Sequence, residues 1–245
     1  MKNQLETPAI RKGRRGFTLM ETVIAIGVIA LLLTGFVAVF APAVDGIRKS
    51  INVQDADRLA TTLERELATL RAGQGGPGIN TGFDKAFEWI KNSDQADEAL
   101  LIYQYRGNIS TQRTDGTPAT VANPRGTPGR DYVVVPMLRR LSDNLLTDDL
   151  QALEGQVFVV RCVQLVYNAS GQLVKGTPGQ IADPRGTGGN TATADQYPEA
   201  VIAFAAEFYS LPSRDPSYLR GDSFKTYFND RMRNPMFTRN LAVRR

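Results

Sequence analysis

Residues 14–44 read RRGFTLMETVIAIGVIALLLTGFVAVFAPAV, and this stretch decides the architecture. Two arginines, a glycine and a phenylalanine lead into a long apolar run. Glu21 stands near its start, and no charged residue follows from Thr22 to Val44. About 20 apolar residues in helical form span the roughly 30 Å hydrocarbon core of a bilayer. A secretory signal peptide has a shorter apolar core, about 7–15 residues. Ala41-Pro42-Ala43 does imitate the small-residue pattern of its cleavage site. Lys2, Arg11, Lys12, Arg14 and Arg15 precede the span and only Glu6 opposes them. That excess of bases places the N-terminus in the cytoplasm and the rest of the chain across the membrane.

Glu21 is the anomaly, because an ionisable group in an apolar span is costly and marks a function with a partner. A cut between Gly16 and Phe17 would create an amino-terminal cation one helical turn before Glu21. In an assembly, that cation on one subunit could pair with the Glu21 carboxylate of a neighbour, offsetting the burial of either charge alone. The competing reading is an unprocessed signal anchor with Glu21 solvated at the interface.

Gly16-Phe17-Thr18-Leu19-Met20-Glu21, with its basic leader and apolar run, resembles the cleavage and methylation signal of type IV pilins and of the pseudopilins of type II secretion. The resemblance covers roughly residues 11–44. It implies cleavage after Gly16 by a prepilin peptidase, N-methylation of Phe17 by the same peptidase/methyltransferase, and a role for Glu21 in subunit recruitment and register. It also implies an α+β pilin-like fold, with a long N-terminal membrane-spanning helix whose C-terminal half packs on an antiparallel β-sheet. The partners implied are other pilin or pseudopilin subunits in a helical filament, an inner-membrane assembly platform, and membrane lipid before assembly. Localisation follows: a single pass through the bacterial inner membrane with a periplasmic domain, then a filament in the periplasm or at the cell surface. Pro42 departs mildly from the family pattern, since it falls late in the run.

Composition narrows the function classes. Residues 1–16 carry the whole formal net charge of +4, so the remaining 229 residues are neutral with 24 bases and 24 acids. Within them, residues 220–245 are +5 and residues 17–219 are −5. This balance suits a basic leader at an anionic membrane surface, and no nucleic acid partner is expected. A single cysteine, Cys162, precludes an intrachain disulfide. The absence of histidine removes the commonest general base and metal ligand together. No P-loop or dinucleotide fingerprint occurs, so no catalytic residue, cofactor or metal is expected. The spacing of Asp143, Asp148 and Asp149 does not match an EF-hand, and these acids read as helix-terminal and solvent-facing groups.

The expected division is a leader over 1–16, a membrane and assembly helix over 17–44, and an extracytoplasmic domain over 45–245. The helix is expected to continue to about residue 72, with a kink or local melting at Pro42 and Gly46. Over 50–72, Ala56, Leu59, Ala60, Leu63, Leu67 and Leu70 recur at three-and-four spacing, an apolar stripe meant for a sheet. A short helix is expected over Asp84–Lys91 and a partly helical stretch over Ser142–Glu154. Strands are expected over Ala99–Tyr105, Tyr132–Leu138 and Val157–Tyr167, the second at an edge or ending near Pro136; Ala200–Leu211 is a fourth strand candidate whose alanines also permit helix. Asp222–Arg233 reads either as a basic amphipathic helix touching membrane or an acidic neighbour, or as a surface helix docking Phe224, Tyr227 and Phe228 onto the domain.

Residues 116–129 and 176–189 echo one another, with nine of 14 positions identical. Each is a turn-rich connection between strands. Gly, Pro and Thr set turn geometry without supplying chemistry, so the plainer reading is a pair of similar surface loops. The sharper reading makes Arg125 and Arg185 surface contacts for an acidic partner or an adjacent subunit. A single-pass, membrane-anchored binding protein that uses these two loops is the alternative function.

Overall fold

The computed structural model describes residues 18–122, 126–185 and 189–245. The chain divides into two compact units, residues 1–50 and Ile51–Arg245. Helix α1 is assigned over Leu19–Ala68, unbroken through Pro42 and Gly46, so the expected local melting does not occur. Proline fixes φ at a helical value and removes one backbone donor, a loss that a 50-residue helix absorbs. The helix ends at Ala68, four residues before the expected limit.

In the second unit, the C-terminal stretch of α1 presents the stripe legible in its sequence. Ala56, Leu59, Ala60, Leu63 and Leu67 are all buried. Helix α2 (Gly82–Asn92) begins with a capping box: Asp84 N donates to Thr81 Oγ1 at 3.1 Å, and Thr81 N donates to Asp84 Oδ2 at 2.9 Å. Its first residue abuts the end of α1 so closely that a Cβ on Gly82 would lie 1.9 Å from the Ala68 carbonyl oxygen; only glycine fits there.

Seven antiparallel strands form the sheet: β1 (Leu100–Gln112), β2 (Pro118–Thr120), β3 (Val133–Arg140), β4 (Leu153–Tyr167), β5 (Leu173–Lys175), β6 (Val201–Ser210) and β7 (Phe237–Arg244). The main path is β2-β1-β4-β6-β7, with β3 paired to β1 and β5 paired to β4. β4, the longest strand, lies at the centre. β3 is an edge strand, the setting expected for Pro136. The alanine-containing segment Val201–Ser210 is a strand, paired with β4 on one side and β7 on the other.

Alternation along the strands sorts side chains to two faces. Leu100, Ile102, Phe158, Val160 and Phe204 join Leu63 of α1 and Phe87 of α2 in one apolar cluster. Leu101, Tyr103, Val159 and Tyr209 belong to a second cluster. That cluster takes Leu146 and Leu150 from α3 (Leu146–Gln151), Leu219 from α4 (Pro216–Leu219) and Phe224 from α5 (Asp222–Thr226). Coverage of both faces explains why consecutive rather than alternate residues are apolar and buried over Leu100–Tyr103 of β1 and Val157–Val160 of β4. This is an α+β architecture, a long apolar N-terminal helix followed by an antiparallel sheet with helices, consistent with a pilin-like fold.

The segment after α5 continues as a π-helical turn, Tyr227–Arg231. Phe224 and Phe228 are buried, and Tyr227 donates its hydroxyl proton to the Ser210 carbonyl at 2.5 Å. Of the two readings of Asp222–Arg233, the aromatic docking is the one the fold adopts.

Candidate functional site

Unit one contains the helical stretch on which the functional residues were expected. Gly16 and Phe17 lie outside the described residues, as does Arg125. Thr18 opens the described chain and acts as the helix N-cap. Its hydroxyl accepts from Glu21 N at 3.2 Å, and its carbonyl accepts the first helical bond from Thr22 N at 3.1 Å. Thr18 and Glu21 therefore occupy the N-cap and N3 positions, and the acid sits at the positive end of the helix dipole. Among the described residues, no hydrogen bond or ion pair reaches the Glu21 carboxylate.

Leu19–Val44 is long and apolar enough to cross a membrane, and none of its most apolar stretch is buried by the rest of the chain. Twenty-six helical residues extend about 39 Å at 1.5 Å per residue. Leu31 and Val39 are each at least 70 % exposed. The few polar groups are satisfied internally: Thr22 and Thr34 donate their hydroxyl protons to the carbonyls four residues earlier, at 3.2 and 2.8 Å. An internally satisfied helix with apolar side chains all around is suited to lipid or to other apolar helices.

In unit two, the largest concentration of charge is internal. Asp149 is fully buried. It accepts from Tyr103 Oη at 2.6 Å, Arg139 Nε at 2.7 Å and an Arg113 terminal nitrogen at 2.7 Å. Arg139 also bonds Asp115 and Asp143, each at 2.9 Å. Burial opposes the Arg139 charge, but the surrounding acids hold its pKa above the ordinary arginine value. Burial likewise pushes the Tyr103 phenol well up. The expectation that Asp143, Asp148 and Asp149 serve helix-terminal and solvent roles needs correction. Asp148 is exposed and Asp143 accepts from Leu145 N, but Asp149 is a core ion-pair residue. The signal missed was on β3: Arg139 enters the sheet directly after apolar Met137 and Leu138, and an inward arginine requires buried acids.

A second buried cation is Lys85 of α2, whose ammonium donates to the carbonyls of Glu66 and Thr69 at 2.6 and 2.5 Å and to Gln74 Oε1 at 2.7 Å. It closes the C-terminal end of α1. Burial pushes its pKa down to about 7. Three acceptors match the three protons of an ammonium rather than the two of a neutral amine, so this geometry holds the charged form. Cys162 is buried, with its backbone N–H donating to Ser93 Oγ at 2.8 Å. Burial raises its thiol pKa, the opposite of what a nucleophile needs.

The two echoing loops are anchored differently. In the first, Val121 N donates to the Arg106 carbonyl on β1. In the second, Ala182 N and the Ala182 carbonyl bond the Gln164 side chain on β4, and Ile181 is buried. Arg185 is exposed and forms an ion pair with Glu199. Among the described residues, no group of three or more acidic, cysteine or histidine side chains is arranged to hold a metal ion.

Residues 11–37 match the family described as the prokaryotic N-terminal methylation motif. This match takes in the basic approach, Gly16, Phe17, the Thr18–Glu21 cap and most of the exposed apolar helix. No curated protein and no solved structure gives a significant match to the chain.

Proposed function

We propose that this chain is a prepilin-like structural subunit of a type IV pilus or a type II secretion pseudopilus. It is cleaved after Gly16, methylated on the new amino group of Phe17 and assembled through its N-terminal helix. The methylation motif over residues 11–37 points to a structural subunit rather than an enzyme. The observation that carries the assembly reading is the coincidence of that motif with a helix whose apolar side chains the chain does not bury. Such a surface requires an apolar environment supplied from elsewhere. Lipid supplies it before processing, with the basic leader in the cytoplasm and residues 45–245 beyond the inner membrane. Other subunits supply it afterwards, when the helices pack together as the filament core.

Glu21 receives its partner at that second stage, from the processed amino terminus of a neighbour. A prepilin peptidase/methyltransferase, other pilin-like subunits and an inner-membrane assembly platform are the partners. A globular domain of about 200 residues favours a minor position in the filament over the repeating major one. Glu21→Ala should abolish incorporation into filaments while leaving membrane insertion intact. Normal incorporation of the variant would remove Glu21 from its assigned role.

A further inference from the structure

Two strands of eight residues, β3 and β7, stand at edges of the sheet, and only one of them is guarded. Leu141 N donates to the Ala99 carbonyl at 2.9 Å, and the β1–β3 register runs from there without a shift to Val133 opposite Gly107. In an antiparallel pair, residues bonded to the partner strand alternate with residues whose N–H and C=O point away. Val135, Met137 and Arg139 share the parity of Leu141, so Pro136 takes an outward position. Its missing N–H costs the β1 ladder nothing and interrupts the outer edge, a common protection against strand addition.

β7 carries no proline. Arg245 N donates to the Ala200 carbonyl at 2.8 Å, and the register continues without a shift to Phe237 opposite Phe208. By the same alternation, Thr238, Asn240, Ala242 and Arg244 turn their backbone N–H and C=O groups away from β6. Among the described residues, no strand pairs with that side of β7. Thr238, Asn240 and Arg244 are exposed. An unpaired edge of this kind is a template for a further strand.

The edge is also basic. Residues 231–245 hold five arginines and no acid. Arg239 pairs with Asp57 of α1, and the other four have no acidic partner among the described residues. Arg245 directs its guanidinium at the carbonyls of Ala194 and Tyr197, while Arg231, Arg233 and Arg244 are exposed.

We propose that the outer edge of β7 takes an extended, acidic segment of a partner protein as an added strand. A peptide backbone supplies the alternating C=O and N–H groups that match the outward set, and acidic side chains on it answer the arginines. A second β7 edge would bring like charges together, which disfavours pairing between two copies there. The surface lies wholly within the globular domain and does not depend on the assembly reading.

Amide hydrogen exchange of the full-length protein in detergent micelles tests this. Without a ligand, Leu241 and Val243 should be protected, and Asn240, Ala242 and Arg244 should exchange rapidly. The probe is a short synthetic peptide, blocked at both ends, that alternates glutamate and valine. The expected result is saturable protection of Asn240, Ala242 and Arg244, weakened by salt. The same peptide methylated on all its backbone nitrogens, and a version with lysine in place of glutamate, should give none. Ala242→Pro removes an outward N–H that β6 does not use and should abolish the response. Should that variant unfold, Arg244→Glu must weaken it. Failure of the acidic peptide to protect these amides, equal protection by either control peptide, or an unchanged response in Arg244→Glu overturns the proposal. So does protection that grows with protein concentration in the absence of peptide, which would make this edge a contact between like copies.

Discussion

The Thr18 hydroxyl accepts a hydrogen bond from the Glu21 backbone amide at 3.2 Å, so the residue that caps the long helix also fixes where its acid stands. Replacing an N-cap threonine typically costs about 0.5–2 kcal/mol, concentrated in the first turn. Thr18→Val, which keeps the shape and removes the acceptor, should raise hydrogen exchange at the Glu21 amide in micelles. Thr18→Ser should restore protection. Equal protection in all three proteins would deny the cap.

Asp149 anchors the interior of the domain through Tyr103, Arg139 and Arg113. Removing one partner of a buried ion pair costs about 3–5 kcal/mol, because the remaining charge is stranded. Asp149→Ala leaves two guanidinium groups short of an acceptor and should lower the urea midpoint of the domain by a corresponding amount. Asp148→Ala, at the adjacent exposed position, should leave it nearly unchanged. Similar losses from both substitutions would mean that the network is not what stabilises this region.

Glu207 supplies a test by pH. Burial raises its pKa, but hydrogen bonds from Lys175, Tyr209 and Arg161 outweigh burial and hold it below the ordinary glutamate value. A carboxylate with a depressed folded-state pKa binds fewer protons in the native than in the unfolded state. Its stabilisation is therefore complete above the unfolded value of about 4.5 and is lost as pH falls through the lower folded value. Glu207→Gln should reduce stability at pH 7 and flatten the acid limb of the stability profile. An unchanged acid limb would exclude Glu207 as a contributor.

Lys85 closes the end of α1 by donating to Glu66, Thr69 and Gln74. Lys85→Met keeps much of the side-chain volume and leaves these acceptors without their donor. Unsatisfied buried polar groups cost about 1–3 kcal/mol each. Equilibrium unfolding should show a loss in that range, with hydrogen exchange rising first in the last turn of α1. Uniform loss of protection across the sheet would point to a packing defect instead.

Legibility in the sequence followed the strength of local pattern. Leu59, Leu63 and Leu67 repeat at helical spacing, and the core uses all three. Val157–Val160 is a continuous apolar run because both faces of β4 are covered, and it marked the strongest strand. β7 could not be read this way: Phe237–Arg244 carries Thr238, Arg239 and Asn240 in succession, and its strand character comes from pairing with Val201–Phe208 of β6. β2 and β5, three residues each, are likewise defined by their partners. Residues 14–21 needed no tertiary context, since their meaning lies in local order of charge, glycine, aromatic and acid.

The central claim is that the N-terminal helix is a processed assembly element, and its most direct test is mass spectrometry of the mature N-terminus in the native host. The account predicts a chain that begins at Phe17 and carries a methyl group on its amino nitrogen. An intact Met1, or a chain that begins at Val44 after cleavage at Ala41-Pro42-Ala43, would contradict it.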